Sequence, residues 1–488
     1  LPYVYLLPEL ILSAVALGLL LAVAWAGRER AARFGPVVAF IGFAAAIAAV
    51  YPALGQVTLV FGQMLAVDGY TQFFKVVFLA VGALIAVASS GYMKRQDVAA
   101  GEYYVLLMFA IVGMILMASS TDLLVIWLGL ELVSITSYVL AGYLRHDPKS
   151  NEAAIKYFLT GSLATAVLLF GLSLIYGLAG TTNLSGISQA LEQVAGFYQG
   201  GQVVAVRPAV DPRLIVIAIF MLVAGFGFKV ALVPFHMWAP DTYEGAPTPV
   251  TAFFSIGPKG AGLAALVRIF PLGLAALQPR WSVLFAILAA ATMTVGNLSA
   301  LNQTNIKRMM AYSSIAQVGY ITVGLAVASP LSIAAIIYYV MAYVFINAGL
   351  FSVIILLDQA GVGQKVKDYA GLSQRAPATA AAMVVFFVAL IGIPFTSGFF
   401  AKFFIFSSAV EGGFLWLAIL LAVNSAISVG YYYGVVRQMY LEPPREDQAI
   451  KVPGPLAAVL VTGAVATLAM GVFSEPFLRL IGLIRLAP

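Results

Sequence analysis

Lys229, Lys259 and Lys402 each lie deep inside a run of residues otherwise apolar enough to cross a bilayer. Glu131, in DLLVIWLGLELVSITSYVL, is the one carboxylate in the middle of such a run. A charged side chain at the bilayer centre costs at least about 2.5–3.5 kcal/mol on insertion scales, and residues kept there mark ion pathways and proton relays. Lysine suits that chemistry where arginine does not: arginine keeps its proton in a protein, whereas a buried lysine gives it up readily. Glu131 needs a proton or a cation, and a lysine from a neighbouring span is the natural partner. The set points to proton transfer between buried titratable groups.

The backbone around these lysines is irregular by composition. Gly225, Gly227 and Pro234 flank Lys229; Gly257, Pro258 and Gly260 flank Lys259; Gly392, Pro394, Thr396, Ser397 and Gly398 precede Lys402. Proline frees a carbonyl, which in a membrane must be met by Ser, Thr or a neighbouring helix. A helix interruption is therefore expected beside each lysine. Interrupted spans in corresponding halves point to an inverted-repeat transporter, although only the first half holds a central carboxylate. His236, in VPFHMWAPD, closes the span of Lys229 and reads either as a hydrogen-bonded cap or as a group at the proton's entrance. Trp238 and Tyr243 read as interfacial anchors. Ser313, Ser314 and Gln317 can orient water or join helices. Lys75 and Lys156 lie nearer span ends, where snorkelling is the plain account; Lys156 also carries a functional reading. Asp122 and Glu102 begin spans, where a helix N-terminus favours negative charge.

Of 488 residues, 62% are hydrophobic and 9% charged, against roughly 25% charged in a soluble domain. The chain is an integral membrane protein. Cysteine is absent and there are 2 histidines, which excludes thiolate sites and a haem or zinc cluster built within the chain. The net charge of +6 follows membrane topology and implies no nucleic acid.

Apolar runs of membrane-spanning length number about fourteen: 3–26, 35–54, 70–92, 102–119, 121–143, 152–177, 213–236, 249–270, 281–301, 309–329, 331–357, 379–408, 413–439 and 454–473. The first reads as a retained span, since it lacks a basic leader and a small-residue cleavage site. The fourth and fifth form a tight hairpin near Ser119 and Asp122. One long polar loop, 180–213, carries a weakly amphipathic piece at 187–197. Arg28, Arg30, Arg33, Lys94, Arg95, Arg145, Lys149, Lys307, Arg308, Lys365, Lys367, Arg375, Arg437, Arg445 and Lys451 fall in alternate loops. The opposite face takes Arg207, Arg213, Arg268, Arg280, Arg479 and Arg485, so the positive-inside rule places both termini on the outer side. On this assignment the cations left within spans are all lysines.

The segments WLGLELVSITSYVL, GFGFKVALVPFHMWAPDTYEGAPTPVTAFFSIGPKG, NIKRMMAYSSIAQVGY and PFTSGFFAKFFIF resemble the antiporter-like membrane subunits of respiratory complex I, the proton-translocating NADH–quinone oxidoreductase. The resemblance covers essentially the whole chain. It implies an all-α integral membrane fold of about fourteen transmembrane helices, with two inverted five-helix repeats (helices 4–8 and 9–13) and broken helices 7 and 12. The segments would be 1–101, 102–276 (first repeat), 277–440 (second repeat) and 441–488. It also implies roles: Glu131 and Lys229 as a coupled pair, Lys259 as the central lysine, Lys402 as the last station, with Lys156 near the pair and His236 in support. Gln317 departs from the histidine of many relatives, so a relay there would pass through water. The expected partners are other membrane-arm subunits, further antiporter-like subunits among them, with the lipid bilayer, protons and internal water. Flavin, iron–sulfur clusters and quinone would sit in partner subunits, with no cofactor in this chain. A bacterial inner membrane is the implied location. The alternative is a subunit of a multisubunit sodium/proton antiporter.

Overall fold

A computed structural model of the chain describes every residue except 1, 27, 97, 99, 196–211, 447, 483 and 485–488. The elements in order are α1 (Leu7–Ala26), α2 (Arg28–Ala48), the strands β1 (Thr58–Val60) and β2 (Leu65–Val67), α3 (Gly69–Arg95), α4 (Ala100–Ser119), α5 (Leu123–Ala141), α6 (Pro148–Ala179) and α7 (Leu184–Ala195). Next come α8 (Pro212–Val230), α9 (Trp238–Gly245), α10 (Thr248–Arg268), α11 (Gln278–Leu301), α12 (Ile306–Val327) and α13 (Pro330–Gln359). The chain continues with α14 (Leu372–Arg375), α15 (Pro377–Ile391), α16 (Ser397–Glu411), α17 (Leu415–Leu441), α18 (Gly454–Val472) and α19 (Ser474–Gly482). Among the described residues, 13 helices are long and apolar enough to cross a bilayer. The expected span 379–408 is instead divided into α15 and α16, and the expected span 213–236 stops at Val230. The strands form an unexpected antiparallel hairpin that pairs Thr58 with Val67.

Burial sorts the helices. Every residue of α10 is buried, as is almost all of α12, whereas α6 exposes Ile155, Leu159, Leu163 and Phe170, and α17 exposes Leu415, Ile419 and Val423. Apolar surface of that extent fits lipid. The tight α4–α5 hairpin forms as expected, with the Asp122 carboxylate accepting from the backbone N–H groups of Leu124 and Val125. Glu102 sits in the first turn of α4.

The interruption expected at Lys259 does not occur: α10 runs unbroken with Pro258 inside it. Its glycines admit neighbours instead. A Cβ on Gly257 would lie 3.1 Å from the Met114 side chain, and one on Gly262 would lie 2.5 Å from that of Val230.

Several of the basic loops meet one another. Arg95 donates to the Gln359 carbonyl, Asn305 bridges to Lys365, Arg375 pairs with Glu446 at 3.1 Å and Arg445 with Asp368 at 2.8 Å. Three charges assigned from sequence are placed differently. Lys307 is 2% exposed and donates to the Ala246 carbonyl at 2.6 Å. Lys75 does not snorkel; its ammonium pairs with Glu9 at 2.7 Å and donates to the Tyr5 carbonyl. Arg268 is not a loop residue but fully buried. Its guanidinium reaches Asp68 at 2.9 Å, Thr71 at 2.7 Å and the Ala118 carbonyl at 2.6 Å. Arg207, Arg485 and the part of the amphipathic piece beyond Ala195 lie outside the described residues.

The Asp68–Arg268 pair joins α3, α4 and α10. Removing one member of a buried pair costs about 3–5 kcal/mol, because the other charge is left uncompensated. Arg268→Leu is therefore expected to lower the unfolding midpoint of the detergent-solubilised protein sharply, and Asp68→Leu/Arg268→Leu to recover much of the loss.

Candidate functional site

Each of the two broken spans brings an ammonium to the C-terminal end of its first half. Lys229 sits in the last turn of α8. Beyond it the chain turns through 231–237, with Ala231 at φ 63°. The groups loosened by the turn are met from nearby: Trp238 Nε1 donates to the Phe228 carbonyl at 2.8 Å, and the Val233 N–H donates to Thr292 Oγ1 at 3.0 Å. Trp238 is thus no interfacial anchor. It is buried and stacked on Tyr157 with ring centroids 4.4 Å apart. In the second broken span α15 ends at Gly392 (φ 91°). Thr396 caps α16, and a Cβ on Gly398 would fall 1.8 Å from the Ala389 carbonyl oxygen, so only glycine lets the two halves cross there. From α16 the Lys402 ammonium reaches back to the Ile391 carbonyl at 2.9 Å and to Ser425 Oγ at 3.0 Å. A cation at a helix C-terminus is favoured by the backbone dipoles.

The expected Glu131–Lys229 ion pair is not formed. Lys229 Nζ donates to Ser134 Oγ at 3.0 Å, one turn beyond Glu131 on α5. Glu131 Oε1 is buried and lacks a hydrogen-bond partner among the described residues. A serine hydroxyl, not the carboxylate, holds the lysine. Lys259 Nζ donates to Ser314 Oγ and lies 5.2 Å from the centre of the Tyr243 ring. Tyr243 is fully buried, against its expected place at the interface. Gly262, one turn beyond Lys259 on α10, faces the end of α8: a Cβ there would lie 2.5 Å from Val230 Cγ1 and 3.8 Å from Lys229 Cγ.

Helix α12 runs between the two later lysines. Ser314, Gln317 and Tyr320 recur every three residues, which puts them along one face. Ser314 holds Lys259. Gln317 Nε2 donates to the Leu390 carbonyl at 3.1 Å and its Oε1 accepts from Tyr339. Tyr320 lies under Lys402, whose ammonium is 4.4 Å from the ring centre, and its hydroxyl accepts from Asn297 at 2.8 Å. Ser313, on another face, bonds Tyr432 at 2.5 Å. Both readings of this cluster therefore have a place: Ser314 contacts a lysine, while Ser313 and Gln317 tie helices together.

Two supporting residues fall elsewhere. His236 lies in the 231–237 break, mostly buried, with Nδ1 unpartnered among the described residues. Lys156 is half-exposed and pairs with Glu152 at 2.7 Å and Asp241 at 2.9 Å, so it is committed to carboxylates and not to the buried line. Sequence reasoning missed Ser134, Tyr320, Ser425 and Asp241. Only Ser134 had a readable signal, its one-turn spacing from Glu131. Among the described residues, no three His, Asp or Glu side chains converge as metal ligands would.

The family described as NADH:quinone oxidoreductase/Mrp antiporter, transmembrane, matches residues 120–428. NADH-quinone oxidoreductase subunit N 2 of Symbiobacterium thermophilum is 48% identical over 98% of this chain and 95% of its own length. F(420)H(2) dehydrogenase subunit N of Methanosarcina mazei is 40% identical over 98% and 97%. A chain of respiratory complex I from Thermus thermophilus with bound aureothin superposes with a TM-score of 0.80 at 30% identity, covering 98% of this chain and 100% of that one. The chain belongs to this family, as an antiporter-like membrane subunit of the subunit N type found in NADH–quinone oxidoreductase, complex I.

Gln317→Leu would orphan the Tyr339 hydroxyl and the Leu390 carbonyl, at about 1–3 kcal/mol for each buried group left unpaired. The expected result is a lowered unfolding midpoint for Gln317→Leu and a smaller change for Gln317→His, which keeps a donor. Differential scanning fluorimetry of the purified protein measures both.

Proposed function

We propose that this chain forms one proton-translocation channel of a complex I-type oxidoreductase, driven by quinone reduction in partner subunits. Glu131 sets the charge around Lys229; Lys229, Lys259 and Lys402 carry the proton; Lys156 and His236 serve the approach to that line. When the field of Glu131 on Lys229 weakens, the ammonium is held only by the neutral Ser134 hydroxyl and gives up its proton toward Lys259. The α12 face of Ser314, Gln317 and Tyr320 then leads on to Lys402, with water carrying the proton past Gln317, whose amide does not titrate. Each charge moved against 100 mV costs about 2.3 kcal/mol, a scale that changes of hydrogen-bond partner can match. The observation that carries this reading is that all three central lysines rest on hydroxyls or carbonyls rather than carboxylates.

In this reading residues 102–276 and 277–440 are inverted repeats between the flanking segments 1–101 and 441–488. The basic loops face the cytoplasm and both termini face outward. Redox cofactors belong to partner subunits, and so does the choice of electron donor: relatives at 48% and 40% identity are named for NADH and for F(420)H(2). The second reading, a sodium/proton antiporter subunit, requires sodium-dependent transport.

In the reconstituted complex, Lys229→Ala is expected to slow proton translocation roughly tenfold or more through this chain, the effect of about 1.4 kcal/mol on the barrier, with assembly intact. Unchanged proton pumping and quinone reductase activity would leave the chain a scaffold, and transport that vanished without sodium would favour the antiporter.

A further inference from the structure

The short helix α9 is fastened by charge along its length. Asp241 commits each carboxylate oxygen to a different cation, Oδ2 to Lys156 of α6 at 2.9 Å and Oδ1 to Arg308 of α12 at 2.5 Å. Where α9 ends, the Ala246 carbonyl accepts from Lys307 at 2.6 Å. Lys307 and Arg308 open α12, where the helix dipole disfavours cations. Their placement is therefore not explained by the stability of α12 alone; it is matched to the acceptors on α9. The N-terminal side of α9 follows the 231–237 turn and is held by the packing and indole hydrogen bond of Trp238, not by charge. Between its fastened points α9 carries Tyr243, whose ring lies by Lys259 and whose hydroxyl is 3.5 Å from Ser314 Oγ. A cleft of about 160 Å³, lined in part by Lys156, Asp241, Glu244 and Arg308, opens beside these pairs.

We infer that Asp241 is a positioning residue for Lys259: by clamping α9 between α6 and α12 it keeps Tyr243 seated against the lysine and its serine partner. This rests on the proton-channel reading and deepens it. Lys156, which stands apart from the buried line, acts in this account through Asp241. Neutralising Asp241 removes the shortest side-chain tie of α9 to each of these helices, leaving the 3.4 Å pairs of Glu244 with Lys149 and Arg308 and the Lys307–Ala246 bond, and so loosens Tyr243 against Lys259.

The chain has no cysteine, so Thr242→Cys, at a fully buried position of α9, supplies this chain's single thiol in the assembled complex. Adding Asp241→Asn is expected to raise its rate of alkylation by N-ethylmaleimide roughly tenfold, as local opening exposes it, and to reduce proton translocation. Asp241→Glu should restore both. A change in alkylation without loss of translocation, or the reverse, overturns the inference, as does no change in either. Lys259→Ala is measured alongside: if it leaves translocation intact, the channel reading itself fails. If Lys259→Ala stops translocation while Asp241→Asn changes nothing, only the role of Asp241 is lost.

Discussion

An ammonium in an apolar bundle must be met by oxygen, and the kind of oxygen separates the three central lysines from Lys75, Lys156 and Arg268. Lys75, Lys156 and Arg268 are met by carboxylates: Glu9, Asp241 with Glu152, and Asp68. Lys229, Lys259 and Lys402 are met by hydroxyls and a helix-end carbonyl. A carboxylate gains much of its worth from the positive charge and is left stranded when the charge goes. A hydroxyl serves the ammonium as acceptor and the neutral amine as donor or acceptor. The first arrangement locks a charge in place, and the second lets it leave without orphaning a buried group.

The broken helices follow from the same constraint. A continuous helix commits its interior carbonyls to its own ladder; interrupting it leaves those of the last turn without that partner. Chain geometry then uses the two breaks differently. On α8 the lysine belongs to the terminal turn, and the loosened Phe228 carbonyl is taken by Trp238. On α15 the lysine comes from the second half and takes the Ile391 carbonyl itself. Lys259 needs no break, because Ser314 and Tyr243 approach it from α12 and α9.

The spans, the discontinuities at 231–237 and 392–396 and the central charges were legible in the sequence, because membrane burial makes a lone lysine or a proline expensive enough to stand out. Roles that depend on a distant partner were not. Arg268 looked like a loop cation because it ends an apolar run, and its partner Asp68 lies 200 residues away. Trp238 and Tyr243 looked interfacial because they follow a span end; the second half-helix draws them inward. Gly257 and Gly260 looked like helix breakers, although a glycine that admits a neighbour and one that ends a helix read alike. Ser425 and Tyr320 gave no signal, since hydroxyls recur throughout the chain.

The inequality of the two halves gains a physical meaning from this geometry. Glu131 and Ser134 stand one turn apart on α5, and the serine, not the carboxylate, holds Lys229 by a bond. No such carboxylate faces Lys402, whose partners are an aromatic ring, a serine and a carbonyl fixed by the helix break. On the proposed function, control enters at the first half, where a charge can be offered or withdrawn. The second half needs only to accept a proton and release it, and for that a neutral, already satisfied site is sufficient.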